Sequence, residues 1–211
     1  MAYAVKEVYY TLQGEGAQAG RAAVFLRFAG CNLWSGRERD RARAVCRFCD
    51  TDFVGTDGPG GGSFRGAGEL ADHVAAYWPG GGRPYVVCTG GEPALQLDEA
   101  LVEALHARGF EVAIETNGTL PLPTGLDWVC VSPKAATELV VRSGDELKLV
   151  YPQVESEAHP SRFAALDFAH RFLQPLDGDA QAKATAACVA YCLAHPAWRL
   201  SVQVHKVVGI E

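Results

Sequence analysis

The sequence predicts an α/β protein with more strands than helices, an open or partial β/α barrel of mostly parallel strands. Three observations predict it. Seven short runs are apolar on both faces, as strands in a covered parallel sheet must be. Only three longer segments carry helical periodicity. The interval 116–127 holds two prolines and two glycines, which disfavours a full crossover helix there.

Taken in order, an additional strand or hairpin is expected over residues 5–11. Strand 22–28 (AAVFLRF) places Phe25 and Arg27 on one face and Val24, Leu26 and Phe28 on the other. Residues 35–43 (SGRERDRAR) are highly charged and read as a solvated loop. Residues 55–68, with consecutive Gly60, Gly61 and Gly62, read as a flexible loop. Helix 69–78 precedes strand 85–88, and helix 98–108 precedes strand 111–114. Strands 128–131, 147–150 and 168–173 follow. An alanine-rich helix spans 180–194, with Cys188 and Cys192 on one face. The last strand, 200–204, is closed by His205 and Lys206. No internal repeat is visible, and one domain over 1–211 is expected.

With 19 basic and 25 acidic residues the net charge is −6, which argues against a phosphate-binding surface and direct nucleic-acid binding. No uncharged apolar run approaches the roughly 18 residues of a membrane span. The first residues, MAYAVKE, lack a signal peptide's basic flank and apolar stretch, so a cytoplasmic protein is expected. Seven cysteines, an odd number in a reducing compartment, disfavour a disulfide framework. Cys88 and Cys130 sit in apolar runs and read as buried small hydrophobes, as do Cys188 and Cys192.

Ligands of α/β sheets and barrels gather at the C-terminal ends of strands. Five runs end there in polar turns: Gly30-Cys31-Asn32, Thr89-Gly90-Gly91-Glu92-Pro93, Glu115-Thr116-Asn117-Gly118, Ser132-Pro133-Lys134 and Gln174-Pro175-Leu176-Asp177. Together they describe a site on one rim. Cys31, Cys46 and Cys49 form a C-x14-C-x2-C pattern with no histidine nearby, the nearest in sequence being His73. Three thiolates without a fourth ligand suit a [4Fe–4S] cluster with one open iron; zinc completed by a distant residue is the alternative.

Cys49-Asp50 closing such a trio, followed by Gly90-Gly91-Glu92-Pro93, resembles the radical S-adenosylmethionine (SAM) superfamily. Adding the Leu12-Gln13-Gly14-Glu15-Gly16 turn, Arg27, CDT, TGGEP, ETNG, SPK and QPLD, the chain resembles the 7-carboxy-7-deazaguanine synthase family over nearly its whole length. The departure from most of the superfamily is the first cysteine gap, fourteen residues rather than three, which loops out an insertion at about 32–45.

The resemblance implies a trimmed radical-SAM barrel and a homodimer. It implies a lyase that contracts 6-carboxy-5,6,7,8-tetrahydropterin to 7-carboxy-7-deazaguanine with loss of ammonia, SAM serving as a true cofactor through its 5′-deoxyadenosyl radical. The product feeds 7-deazapurines such as queuosine in tRNA. The implied cofactors are the [4Fe–4S] cluster on Cys31, Cys46 and Cys49, SAM, and Mg²⁺ on Thr51, whose hydroxyl also suits a turn cap. Phe48, Asp50, Gly90, Gly91 and Glu92 are expected beside SAM. So are Glu115 and Asn117 (ribose), Ser132, Pro133 and Lys134, and the adenine-side segment Gln174, Pro175, Leu176 and Asp177. Each of these also suits an ordinary strand-end turn. Leu12, Gln13, Gly14, Glu15, Arg27, Thr89, His205 and the terminal Glu211 are expected around the pterin. Glu15 would meet its donor edge, and Arg27, an inward cation in need of an anion, its carboxylate. The charge run Arg37, Arg39, Arg41 and Arg43 reads as a wet loop or as the docking site of an acidic flavodoxin-like electron donor. Two rivals remain: a radical-SAM activating enzyme for another substrate, and a zinc protein without redox chemistry.

Overall fold

A computed structural model describes residues 2–153 and 158–210. Period-two alternation lays down nine strands: β1 (Tyr3–Leu12), β2 (Ala22–Phe28), β3 (Gly62–Phe64), β4 (Tyr85–Gly90), β5 (Glu111–Thr116), β6 (Trp128–Val131), β7 (Ser143–Tyr151), β8 (Asp167–Pro175) and β9 (Arg199–Leu200). They form one sheet in the order β3-β1-β2-β4-β5-β6-β7-β8-β9. β1 is antiparallel to both β3 and β2, and every pairing from β2 through β9 is parallel. The edge strands β3 and β9 do not pair with each other, so the sheet stays open among the described residues.

Among the described residues four α-helices accompany it: α1 (Ala67–Ala75), α2 (Glu99–His106), α3 (Gln181–Ala194) and α4 (Val204–Val208). Asp98 caps α2, its side chain accepting from the Leu101 N–H at 3.0 Å. Leu70 and Val74 of α1 and Leu101 and Leu105 of α2 pack on Val24, Leu26, Val86, Val112 and Ile114, all buried. Cys188 of α3 packs with Leu147, Leu149 and Leu173. Alternation sends the intervening residues to the opposite face, where Phe25, Arg27, Thr89, Glu115, Lys148 and Gln174 line a cavity. α1, α2 and α3 thus cover one face, and the cavity opens on the other.

Three segments differ from expectation. The glycine-rich stretch 55–68 contains β3 rather than only loop, because its backbone bonds β1: Gly58 N–H to the Lys6 carbonyl at 3.0 Å, and Val8 N–H to Pro59 at 2.8 Å. The charged stretch 35–43 ends in a 3-10 helix, Glu38–Arg43. The final strand is only Arg199–Leu200; beyond it Val204 N–H bonds the Gly14 carbonyl at 2.9 Å instead of a strand, and the chain turns into α4. His205 and Lys206 therefore stand on a helix. Among the described residues no helix is long and apolar enough to cross a membrane.

Leu26 is fully buried between the sheet and both α1 and α2. Replacing it by alanine is expected to remove about 2–5 kcal/mol of stability, read from urea unfolding. A loss below about 1 kcal/mol would mean that this layer is loosely packed.

Candidate active site

The C-terminal strand ends and the turn after β1 enclose a cavity of about 450 Å³, a volume suited to a cofactor and a small substrate. Cys31, directly beyond β2, and Cys46 and Cys49 all reach it. All three are free thiols. Burial raises the Cys31 and Cys46 thiols above their usual range, an effect that Lys134 opposes at Cys46. Cys31 and Cys49 rest against a small apolar group of Trp34, Ala44 and Phe53. Among the described residues, no three His, Cys, Asp or Glu side chains close around a single ion. Three unpaired thiols lining one cavity suit the three-cysteine ligation of an iron–sulfur cube with one open iron.

The glycines beside this trio are required. A Cβ on Gly91 would run into the Gly30 carbonyl and Cys31, so only glycine lets the turn after β4 approach the first cysteine. Gly90, Thr89, Phe48, Asp50 and Thr51 line the same cavity. Glu92 is fully buried and is not among the lining residues. Its carboxylate accepts from the Thr116 hydroxyl at 2.6 Å, the Asn117 N–H at 2.8 Å and the Ala94 N–H at 2.9 Å. Burial pushes its carboxyl up against those bonds. Glu92 thus braces the ends of β4 and β5.

Further along the rim, Glu115, Asn117, Ser132, Lys134, Gln174, Pro175 and Asp177 line the cavity, whereas Pro133 and Leu176 do not. Lys134 Nζ donates to the Ser132 hydroxyl at 2.6 Å. Lys206 of α4 bridges Asp50 at 2.8 Å and Asp177 at 2.6 Å, joining the cysteine loop to the end of β8. His205 lines the cavity beside Gly14, where any Cβ would strike its ring. Glu211 lies outside the described residues.

At the turn after β1 the structure brings together residues that sequence reasoning only partly named. Lys148, 5% exposed, projects from β7 and pairs with Glu15 at 2.7 Å and Glu115 at 3.2 Å. Gln174 and Gln203 donate to Glu15 at 3.0 and 2.9 Å, and Gln13 donates to Glu115 at 2.9 Å. Burial pushes the Glu15 carboxyl up, but Lys148, Gln203 and His205 overcome this and hold it at about 2. Burial opposes the charge on Lys148, and its acidic neighbours outweigh that and keep it well above its ordinary range. The available signal for Lys148 was one cation inside the apolar strand Leu147–Val150, a pattern that demands a buried partner.

Arg27 also lines the cavity, and it already has an anion: Nε donates to Glu7 at 2.7 Å and Nη2 to the Tyr9 hydroxyl at 2.9 Å. Its Nη1 makes no hydrogen bond among the described residues. In the charged loop the arginines are not uniformly solvated. Arg41 lies over the Trp34 ring and bonds the Arg47 and Cys49 carbonyls. Of the remaining cysteines Cys88, Cys130 and Cys188 are buried, and burial pushes Cys88 and Cys188 up to about 12. Cys192, expected to be buried, is only half-buried at the edge of the same core as Cys188.

The radical SAM superfamily model matches residues 41–148, just over half of the chain. The chain is 66% identical over 213 residues to the 7-carboxy-7-deazaguanine synthase of Bordetella pertussis and 64% identical over 211 to that of Caulobacter vibrioides, covering all of each. A Bacteroides thetaiotaomicron protein of the same name is 39% identical, with 98% of both chains covered. The crystal structure of QueE from Escherichia coli superposes with a TM-score of 0.73 at 30% identity, covering 97% of this chain and 95% of that one.

Because the Glu15 carboxyl falls from 4.5 in the unfolded chain to about 2 in the fold, its ion pair contributes fully above pH 4.5. That contribution is lost as pH falls from 4.5 towards 2. Urea unfolding across this window should show a steeper decline for the parent than for Glu15→Gln; equal slopes would contradict the pairing. At neutral pH, Lys148→Met strands two carboxylates and should cost about 3–5 kcal/mol.

Proposed function

The chain belongs to the 7-carboxy-7-deazaguanine synthase family within the radical SAM superfamily, and from that premise we propose that it converts 6-carboxy-5,6,7,8-tetrahydropterin to 7-carboxy-7-deazaguanine with loss of ammonia. The observation that carries this reading is the polar lattice around Glu15, in the same cavity as three free thiols. Residues 1–211 act as one radical-SAM core domain with an N-terminal strand extension and the insertion at 32–45. Membership of the superfamily implies the [4Fe–4S] cluster and SAM, and Cys31, Cys46 and Cys49 hold the cluster. When bound, the pair supplies a hydrogen-atom abstractor at the cost of one electron.

The chain's own residues do the binding. Glu15, kept ionised by Lys148, accepts from the donor edge of the pterin, and Gln13 and the Gly14 backbone meet it in plane. Arg27 is oriented by Glu7 and Tyr9, which leaves Nη1 to take the substrate carboxylate. Gly90 and Gly91 let backbone approach the methionine end of SAM, while Glu115, Asn117, Ser132 and Lys134 serve the ribose side and Gln174 and Pro175 the adenine. Thr51 supplies a hydroxyl to Mg²⁺, a hard ion that takes few protein ligands and keeps water and substrate oxygens. The protein works in the cytoplasm as a homodimer, and a flavodoxin-like donor delivers the electron.

Anaerobic reconstitution with iron and sulfide, then reductant, SAM and carboxytetrahydropterin, tests the assignment. Deazaguanine product is expected without stoichiometric loss of SAM; SAM consumption with no product would reject it. Alanine at Cys31, Cys46 or Cys49 should abolish both cluster and turnover, while Cys188→Ala keeps both. For the Mg²⁺ assignment, Thr51→Ser should retain Mg²⁺-stimulated turnover, and the nearly isosteric Thr51→Val should lose most of the stimulation with SAM affinity unchanged. A valine variant that responds like the parent would move the ion elsewhere.

A further inference from the structure

Trp34 carries a buried hydrogen-bond donor that the protein does not use. The residue is 8% exposed, and its indole Nε1 has no partner. Among the described side chains only Arg171 Nε shares that condition, and Arg171 still bonds the Leu166 carbonyl through Nη2. Trp34 has no second polar atom. Native folds rarely leave such a group unpaired unless a ligand supplies its partner.

The surroundings of the ring narrow what that ligand is. Trp34 packs with Ala44 and Phe53 in the apolar group against which Cys31 and Cys49 rest. It is also the one tryptophan of the chain's four that lines the cavity. Its ring is held in place: the Arg41 guanidinium stacks 4.1 Å from the centroid, and Phe53 meets it edge-on at 5.6 Å. Arg41 Nη1 reaches from there to the carbonyls of Arg47 at 2.8 Å and Cys49 at 3.1 Å, and its Nε is held by Glu38 at 2.8 Å. One side chain therefore ties the indole to the turn that carries two of the three cysteines. Both residues come from the long insertion between Cys31 and Cys46.

We infer that the Trp34 Nε1–H is the donor kept for a sulfur atom of the iron–sulfur cluster, with Arg41 as the positioning residue that holds the ring against it. This rests on Cys31, Cys46 and Cys49 carrying the cluster. A hydrogen bond to sulfur draws electron density from the cluster and favours its reduced, more negative form, so the insertion sets the reduction potential as well as the loop's shape.

The test uses the reconstituted holoenzyme with its tryptophans labelled by nitrogen-15 at the indole, reduced anaerobically and read by pulsed electron paramagnetic resonance. A nitrogen-15 coupling to the cluster is expected in the parent and absent in Trp34→Phe. That variant should hold iron and sulfide in the parent's proportion, with its midpoint potential shifted to more negative values. Arg41→Ala should shift the potential in the same direction and add little in the Trp34→Phe background, an outcome that general loosening of the loop does not produce. A parent cluster without the coupling, or Trp34→Phe with the parent's potential, overturns the inference. If Trp34→Phe takes up no cluster, the coupling in the parent decides alone. A parent that takes up no iron and sulfide overturns the cluster assignment itself, and this inference with it.

Discussion

The ammonium of Lys148 is the group around which the site is arranged. A cation on a buried strand face is unstable without anions; its own strand supplies Glu146, two residues away on the same face, but the ion pairs are made elsewhere. Its partners come from far away: Glu115 from β5 and Glu15 from the turn beyond β1. β1 lies at the other side of the sheet, with β2, β4, β5 and β6 between it and β7. The ion pair therefore draws the N-terminal turn across the open face. Gln203 and the Val204 N–H bring the C-terminal segment to the same turn, through Glu15 and the Gly14 carbonyl. The turn after β1 and the segment after β9 thus meet at one cavity, beside the Lys148–Glu15 pair.

The same economy of helices explains why that face is available. α1, α2 and α3 saturate the apolar side of the sheet through Leu26, Ile114, Leu147 and their neighbours. The opposite side carries Arg27, Thr89, Glu115, Lys148 and Gln174, and among the described residues it is approached by the β1 turn, the cysteine loop and the short α4 with His205 and Lys206. The two-residue period of the strands sorts the side chains, although the cavity face keeps its own apolar patch of Ala23, Tyr85, Val87 and Ala113. Glu92 marks the boundary: its buried carboxylate ties β4 to β5 and holds the rim in shape from behind.

The cysteine loop is organised by its insertion. Arg41 spans from Trp34 to the Cys49 carbonyl, and Lys206 spans from Asp50 to Asp177. Between them these two cations fix the loop to its own apolar base and to the far end of the rim. Cations suit the task because the acceptors they meet are the Arg47 and Cys49 carbonyls and the Asp50 and Asp177 carboxylates.

Local features were legible in the sequence. The strands Ala22–Phe28 and Trp128–Val131 stand where period and composition put them, and so does the helix ending at Ala194. The strand-end turns gather on one rim, because strand direction and side-chain alternation are set by near neighbours. The LQGEG turn and the Cys46–Cys49 pair are legible for the same reason, as short runs of sequence, whereas Cys31 stands across a fourteen-residue gap. What tertiary structure alone decided is the pairing of distant charges. Nothing within a few residues of Lys148, Arg27, Arg41 or Glu92 announces Glu15, Tyr9, the Cys49 carbonyl or Thr116 as partner. The short β3 and α4 escaped for a related reason, since each is held by backbone bonds to the β1 segment rather than by its own periodicity. Such contacts exist only once the sheet has brought separate segments within the few ångströms over which a hydrogen bond or a buried ion pair acts.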